Sequence, residues 1–168
     1  MCVPMIYAHW EGFVVSSLKI LIEYLNGLNL KSNQIPTKLA VLAMGDAYKS
    51  LSGKQSFEQR VAFTDKFKIL FDENVKISNK IDTKSNLNKS VLKEICEIYS
   101  FDYSKFDSLV ADIDRLIHVR NCIAHGENSV VPNFENVEKF IDAVNAAIDI
   151  FVGEIDLFVE HEAYLMAN

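Results

Sequence analysis

Near the end of the chain, Val137, Ile141, Val144, Ile148, Phe151, Ile155 and Phe158 recur at alternating steps of four and three residues. Residues three and four apart share one face of an α-helix, so this spacing becomes a continuous apolar stripe only in a helix. A stripe so narrow has to lie along another helix, either within the same bundle or on a second copy of the chain. Closure of the chain's own bundle is the reading preferred here, with a seam between copies as the alternative. Breakers are scarce elsewhere too: 6 glycines and 3 prolines in 168 residues leave room for little besides helices. With 49% apolar residues the chain can fill a core, and its length suits one domain over 1–168.

Local signals divide the chain further. A first helix is expected from Val3 to Asn26, stopped by Gly27, although only six residues precede Tyr7 as a lead-in. Pro36, at a first helical position, opens a second helix to Leu51, ahead of Gly53. Ser56-Phe57-Glu58-Gln59 has capping-box spacing and begins a third, to Glu73. Residues 74–87 alternate weakly at Val75, Ile77 and Ile81, which predicts a loop or short hairpin. A fourth helix follows from Asn88 to Tyr99, and Ser104-Lys105-Phe106-Asp107 starts a fifth that runs to His125. The last extends from Asn133 to Tyr164. The fold class is therefore all-α: a bundle of five to six helices with a long C-terminal helix.

Charge limits the choice of partners. The formal net charge is −6, yet residues 74–93 carry five lysines against Asp82, a local +4. From Glu127 to Asn168, nine acids face the single Lys139. Broad electrostatic binding of nucleic acid is not favoured, so any such site has to be small and local. Cys2, Cys96 and Cys122 are odd in number and lack metal-ribbon spacing, so no disulfide framework is implied. The start shows no basic stretch or cleavage site of a secretory signal. His9, Glu11, Lys19 and Glu23 interrupt the apolar run from Val3 to Leu30, which makes a membrane span unsuitable. A cytoplasmic protein is expected.

The chemistry concentrates in Arg120-Asn121-Cys122-Ile123-Ala124-His125-Gly126. Arginine offers a permanent charge and a planar fork of donors that fits a phosphate, and histidine exchanges protons near neutral pH. Projected at about 100° per residue, Leu109, Ile113, Leu116, Ile117, Ile123 and Ala124 form the apolar face of the fifth helix, with Arg120 in its middle. A guanidinium there requires compensation for desolvation: a carboxylate from a neighbouring helix, a second subunit, or a bound phosphate. Asp114, His118, Asn121, Cys122 and His125 gather on the opposite side. His118, Cys122 and His125 have a spacing that three zinc ligands can use, but no fourth ligand stands at recognisable spacing, and a polar stripe with a buried small thiol is the preferred reading. On a straight helix Arg120 and His125 diverge by about 140°. They meet around one phosphate if the helix unwinds, or if two copies exchange groups across a two-fold axis, which is preferred.

These residues resemble a known superfamily. Arg120-Asn121-x-x-x-His125 is similar to the R-x4-6-H signature of HEPN domains, in its common R-N form, and Ile123-Ala124-His125-Gly126-Glu127 continues it. Tyr7-Ala8-His9-Trp10-Glu11-Gly12-Phe13 and Ser85-Asn86-Leu87-Asn88 resemble the MAE-type HEPN subgroup. The resemblance covers most of the chain. It implies a helical bundle that dimerises, and in many members a metal-independent endoribonuclease of prokaryotic defence or toxin–antitoxin systems. By position it makes Arg120 and His125 the catalytic pair, with Asn121 holding the motif's conformation, and it calls for no cofactor and no metal. The partners it implies are an RNA substrate, a second copy of the chain, and an antitoxin or other defence-system protein.

Lys76, Lys80 and Lys84 are candidate RNA contacts, although a solvated loop explains them as well. Trp10 reads first as a core anchor, with His9 and Glu11 as possible helpers of the site. The alternative function is a non-catalytic HEPN module for dimerisation and for binding a partner protein or nucleotide, which the acidic C-terminal helix favours. A metal enzyme is the outsider.

Overall fold

The computed structural model describes residues 2–45, 54–84, 86–127 and 132–166. Among them are six α-helices: α1 (Cys2–Gly27), α2 (Thr37–Met44), α3 (Phe57–Asp72), α4 (Lys89–Tyr99), α5 (Val110–Ala124) and α6 (Phe134–Glu160). Short 3-10 turns occupy Ser32–Gln34 and Tyr103–Phe106. The fold is all-α with a long C-terminal helix, as the breaker-poor sequence predicts.

Helix α1 is the spine. Val3, Tyr7, Trp10, Val14, Leu18, Leu21, Ile22 and Leu25 are buried at steps of three and four, facing α5 and α6. Trp10 is 0% exposed and meets Phe151 of α6 edge-on, with ring centroids 6.4 Å apart, so it is the core anchor expected. One apolar cluster runs from Val3 through Phe106 and Leu116 to Phe158 and Tyr164.

The C-terminal seam is rotated from its expected position. The buried residues of α6 are Phe140, Ala143, Val144, Ala147, Phe151, Glu154 and Phe158. Val144, Phe151 and Phe158 belong to the predicted stripe, but Ile141 is 42% exposed while Val137, Ile148 and Ile155 are only partly covered. The lines 140, 147, 154 and 144, 151, 158 share the buried face, whose centre lies about 60° round the helix from that of the predicted stripe. Two alanines and a glutamate hide that face from a hydrophobicity reading. Glu154 is buried because its carboxylate accepts from Lys105 Nζ and from the Asp102 N–H, both at 2.6 Å.

Boundaries shift for local reasons. Helix α2 ends at Met44, where Gly45 takes φ +44°, and not at Leu51; the rest of that expectation lies outside the described residues. The Ser56 capping box forms as predicted, and Asn88 and Asn133 cap α4 and α6. The fifth helix starts at Val110 and not near Ser104, because Asp102 takes both the N–H and the hydroxyl of Ser104. That leaves a 3-10 turn where the capping box was expected. Helix α6 stops at Glu160. The chain then turns through Glu162 at φ +50° and buries Tyr164, whose hydroxyl meets that of Tyr24.

Among the described residues of 74–87 there is no hairpin, so the loop alternative holds. An antiparallel bridge joins Lys31 to Asn74, and the Val75 N–H donates to the Leu30 carbonyl. Beyond it, Asn26 replaces a partner strand: its amide donates to the Ile77 carbonyl at 2.9 Å and accepts the Ile77 N–H at 2.8 Å. Further on, the Thr83 hydroxyl donates to Glu11 at 2.7 Å, and the Leu87 N–H donates to the Tyr7 hydroxyl at 2.9 Å. The segment is thus a strap laid antiparallel along α1, from Asn26 to Tyr7, about 28 Å at 1.5 Å per residue.

Candidate functional site

The site is built on the C-terminal half of α5. Ile113, Leu116, Ile117, Val119 and Cys122 are buried, which holds that half against the bundle. Two expectations change at its end. Ile123 is 40% exposed and Ala124 is exposed too, while Val119 completes the buried face. Cys122 is buried and its neighbours His118 and His125 are exposed, which is the polar stripe with a hidden thiol.

Arg120 is half-buried, and an aromatic face seats it. Its guanidinium carbon stands 4.5 Å from the centre of the Tyr7 ring, and Nη1 donates to Asn121 Oδ1 at 2.8 Å. Among the described residues no carboxylate forms a salt bridge with it. The sequence reading offered a carboxylate, a subunit or a phosphate as the compensating partner; within one chain the compensation is a cation–π contact and a neutral amide. Neither cancels the charge, so the fork keeps donors for an anion.

Tyr7 is itself fixed. Its hydroxyl accepts the Leu87 N–H, and Glu11 lies one turn along the same face. Burial pushes the phenol up to about 12, and the Glu11 carboxylate adds to this against the Leu87 hydrogen bond and the Arg120 charge. At neutral pH the ring therefore stays neutral and its O–H can donate towards Glu11. Sequence reading passed over Tyr7. The signal available was its place on the apolar face of α1, with Val3, Trp10 and Val14, and its i, i+4 relation to Glu11 at the edge of that face.

His125 occupies the C-cap of α5, exposed, and its N–H donates to the Asn121 carbonyl at 3.0 Å. Gly126 follows at φ +72°; its N–H donates to Ile123, and the Glu127 N–H donates to Cys122. These two bonds make a Schellman turn, the reason the helix ends where glycine predicted. Asn121 thus touches both neighbours in the motif, the arginine through its side chain and the histidine through its carbonyl. No hydrogen bond joins Arg120 to His125 among the described residues.

The remaining sequence candidates are dispersed. His118 Nε2 lies 3.8 Å from Cys122 Sγ, and burial pushes the Cys122 thiol up, assisted by Glu127. Among the described residues no cluster of three or more His, Cys, Asp or Glu side chains is arranged to hold a metal ion. Lys76 sits beside the Asn26 clasp, at the far end of the strap from Arg120, and Lys80 is exposed between the clasps. Lys84 is next to Thr83, near the seat, but it is paired to Glu94 at 2.6 Å.

A family model described as RiboL-PSP-HEPN matches residues 1–157, nearly the whole chain and all of this motif. The chain belongs to the RiboL-PSP-HEPN family. The expected membership in the HEPN superfamily is borne out, and the match does not reach the MAE-type subgroup. No curated protein and no solved structure gave a match. Among the described residues, no helix of this HEPN domain is long and apolar enough to cross a membrane.

Proposed function

We propose that this HEPN protein is a metal-independent endoribonuclease whose site combines Arg120 of one copy with His125 of another. The observation that carries the reading is the state of Arg120: half-buried, held by a ring and an amide, and without a carboxylate partner among the described residues. A guanidinium kept in place but not neutralised is an anion receptor. His125, exposed on the same helix end, is the proton-transfer group.

The RNA's 2′-oxygen attacks the adjacent phosphorus as His125 takes its proton. The bond from phosphorus to the 5′-oxygen breaks, that oxygen leaves with a proton from solvent water, the imidazolium returns its own proton to solvent, and a 2′,3′-cyclic phosphate remains. Arg120 stabilises the charge that grows on the non-bridging oxygens. The attacking group belongs to the substrate, so the reaction calls for neither metal nor cofactor, and DNA is refused because it lacks that hydroxyl. Such an enzyme fits a cytoplasmic toxin held silent by an antitoxin, or another defence system, with Lys76, Lys80 and Lys84 guiding RNA from outside the seat.

A second reading is a non-catalytic module that dimerises and binds a protein or nucleotide. It is favoured by an open apolar groove between α1 and α6, lined by Phe13, Ile20, Tyr24, Val152, Ile155 and Val159. Incubating wild-type and His125→Ala protein with total RNA in EDTA separates the two. Cyclic-phosphate ends from the wild type alone support the nuclease; intact RNA in both samples rejects it.

A further inference from the structure

The strap along α1 ends at the residue that seats the motif arginine. Thr83 is tied to Glu11, and Leu87 to the hydroxyl of Tyr7, one helical turn apart on the same face. The Tyr7 ring then carries the guanidinium. One long-range hydrogen bond therefore fixes the ring directly, and the Thr83–Glu11 bond holds the strap one turn away; the ring is itself core, 1% exposed, so its position is set before it meets the guanidinium.

We propose that Tyr7 is the positioning residue for Arg120, and that the strap, through Leu87 and the Thr83–Glu11 bond, keeps Tyr7 in register. The ring face attracts the cation and limits the positions its free N–H groups can take. The hydroxyl, locked by the Leu87 N–H, prevents the ring from turning. Asn121 completes the seat from the motif itself by holding Nη1. A guanidinium fixed before the substrate arrives does not reorganise when charge develops on the phosphate, so Tyr7 acts on the rate through Arg120 and touches no reacting atom. This inference rests on the nuclease reading for its effect on rate, but not for its effect on Arg120.

Two measurements test it, on wild type, Tyr7→Phe and Tyr7→Leu, each verified as folded by circular dichroism. The first is the side-chain Nε–Hε resonance of Arg120, identified by its disappearance in Arg120→Lys. The ring current displaces it in wild type; Tyr7→Phe retains the displacement, and Tyr7→Leu moves it to the position of an exposed arginine. The Leu87 amide exchanges faster in Tyr7→Phe, which has lost its acceptor. An Arg120 resonance unmoved by Tyr7→Leu overturns the proposal. The second is RNA cleavage: kcat falls in the order wild type, Tyr7→Phe, Tyr7→Leu, by about tenfold at the last step for a lost cation–π contact, with KM little changed. Equal kcat in all three, with an active wild type, overturns it as well. If wild type leaves RNA intact, the nuclease reading fails while the resonance still decides the seat.

Discussion

Asn26 and Ile77 exchange two hydrogen bonds, side-chain amide to backbone, 2.9 Å in one direction and 2.8 Å in the other. The pair does for the strap what a neighbouring strand does in a sheet, from the last turn of a helix. Asn26→Leu leaves the Ile77 N–H and carbonyl without partners and lowers stability by about 1–3 kcal/mol, measured by urea unfolding. The Ile77 amide should exchange faster in the same variant. Unaltered exchange would mean that Val75, Thr83 and Leu87 hold the strap without help from Asn26.

Both members of the proposed catalytic pair are accessible to substitution. His125 is exposed and Arg120 is half-buried without a salt bridge among the described residues. His125→Ala should reduce RNA cleavage by about 10²–10⁴-fold, the usual range for a lost general acid or base. Arg120→Lys keeps the charge but not the fork, and should also cleave poorly. Thermal melting near that of wild type in both variants separates this loss from misfolding.

Two glycines of similar surroundings predict opposite signs. A Cβ at Gly126 or at Gly12 meets nothing within 4 Å. Gly126 holds φ +72°, so Gly126→Ala strains the left-handed turn and costs about 1 kcal/mol. Gly12 lies inside α1, where Gly12→Ala should gain about 0.5–1 kcal/mol. Chemical denaturation of the two variants, side by side, tests the account of the Schellman turn.

Burial pushes both the Tyr7 phenol and the Cys96 thiol up to about 12, from 10.0 and 9.0. The folded protein therefore keeps these protons at pH values where the unfolded chain has released them. The stability they contribute is complete below the unfolded values, near pH 9, and is lost as pH rises towards 12. Unfolding midpoints in urea should decline steadily over that window, and Tyr7→Phe should flatten part of the decline.

Glu154 supports the entry to α5 from α6. Glu154→Ala removes the acceptor for the Asp102 N–H and the partner of Lys105. A loss of about 1–3 kcal/mol is expected in thermal or urea unfolding, with Glu154→Gln recovering part of it.

The helices were legible wherever a residue states its own local chemistry. Ser56, Asn88, Asn133 and Gly126 each announce a cap, and the structure uses each one. Ser104 announces one as well, but Asp102 claims its N–H, and nothing in a spacing rule decides between two adjacent cap formers. Trp10 was legible as core because an indole on a first helix has few other places to go. The buried face of α6 was not, because Ala143, Ala147 and Glu154 carry little apolar signal and Glu154 is buried only through Lys105 and Asp102, about fifty residues earlier. At the candidate site, the end of α5 was readable from Gly126. The Tyr7 seat was not, since a cation–π contact between residues over a hundred positions apart leaves no periodic trace.

The Tyr7 hydroxyl bonds a backbone N–H 80 residues further along, and its ring holds an arginine from later still. On a translating ribosome the tyrosine therefore emerges long before the strap, and the strap before the guanidinium. A nascent or truncated polypeptide ending ahead of α5 carries the tyrosine without the guanidinium it seats, and the whole Arg120–His125 motif is absent from it.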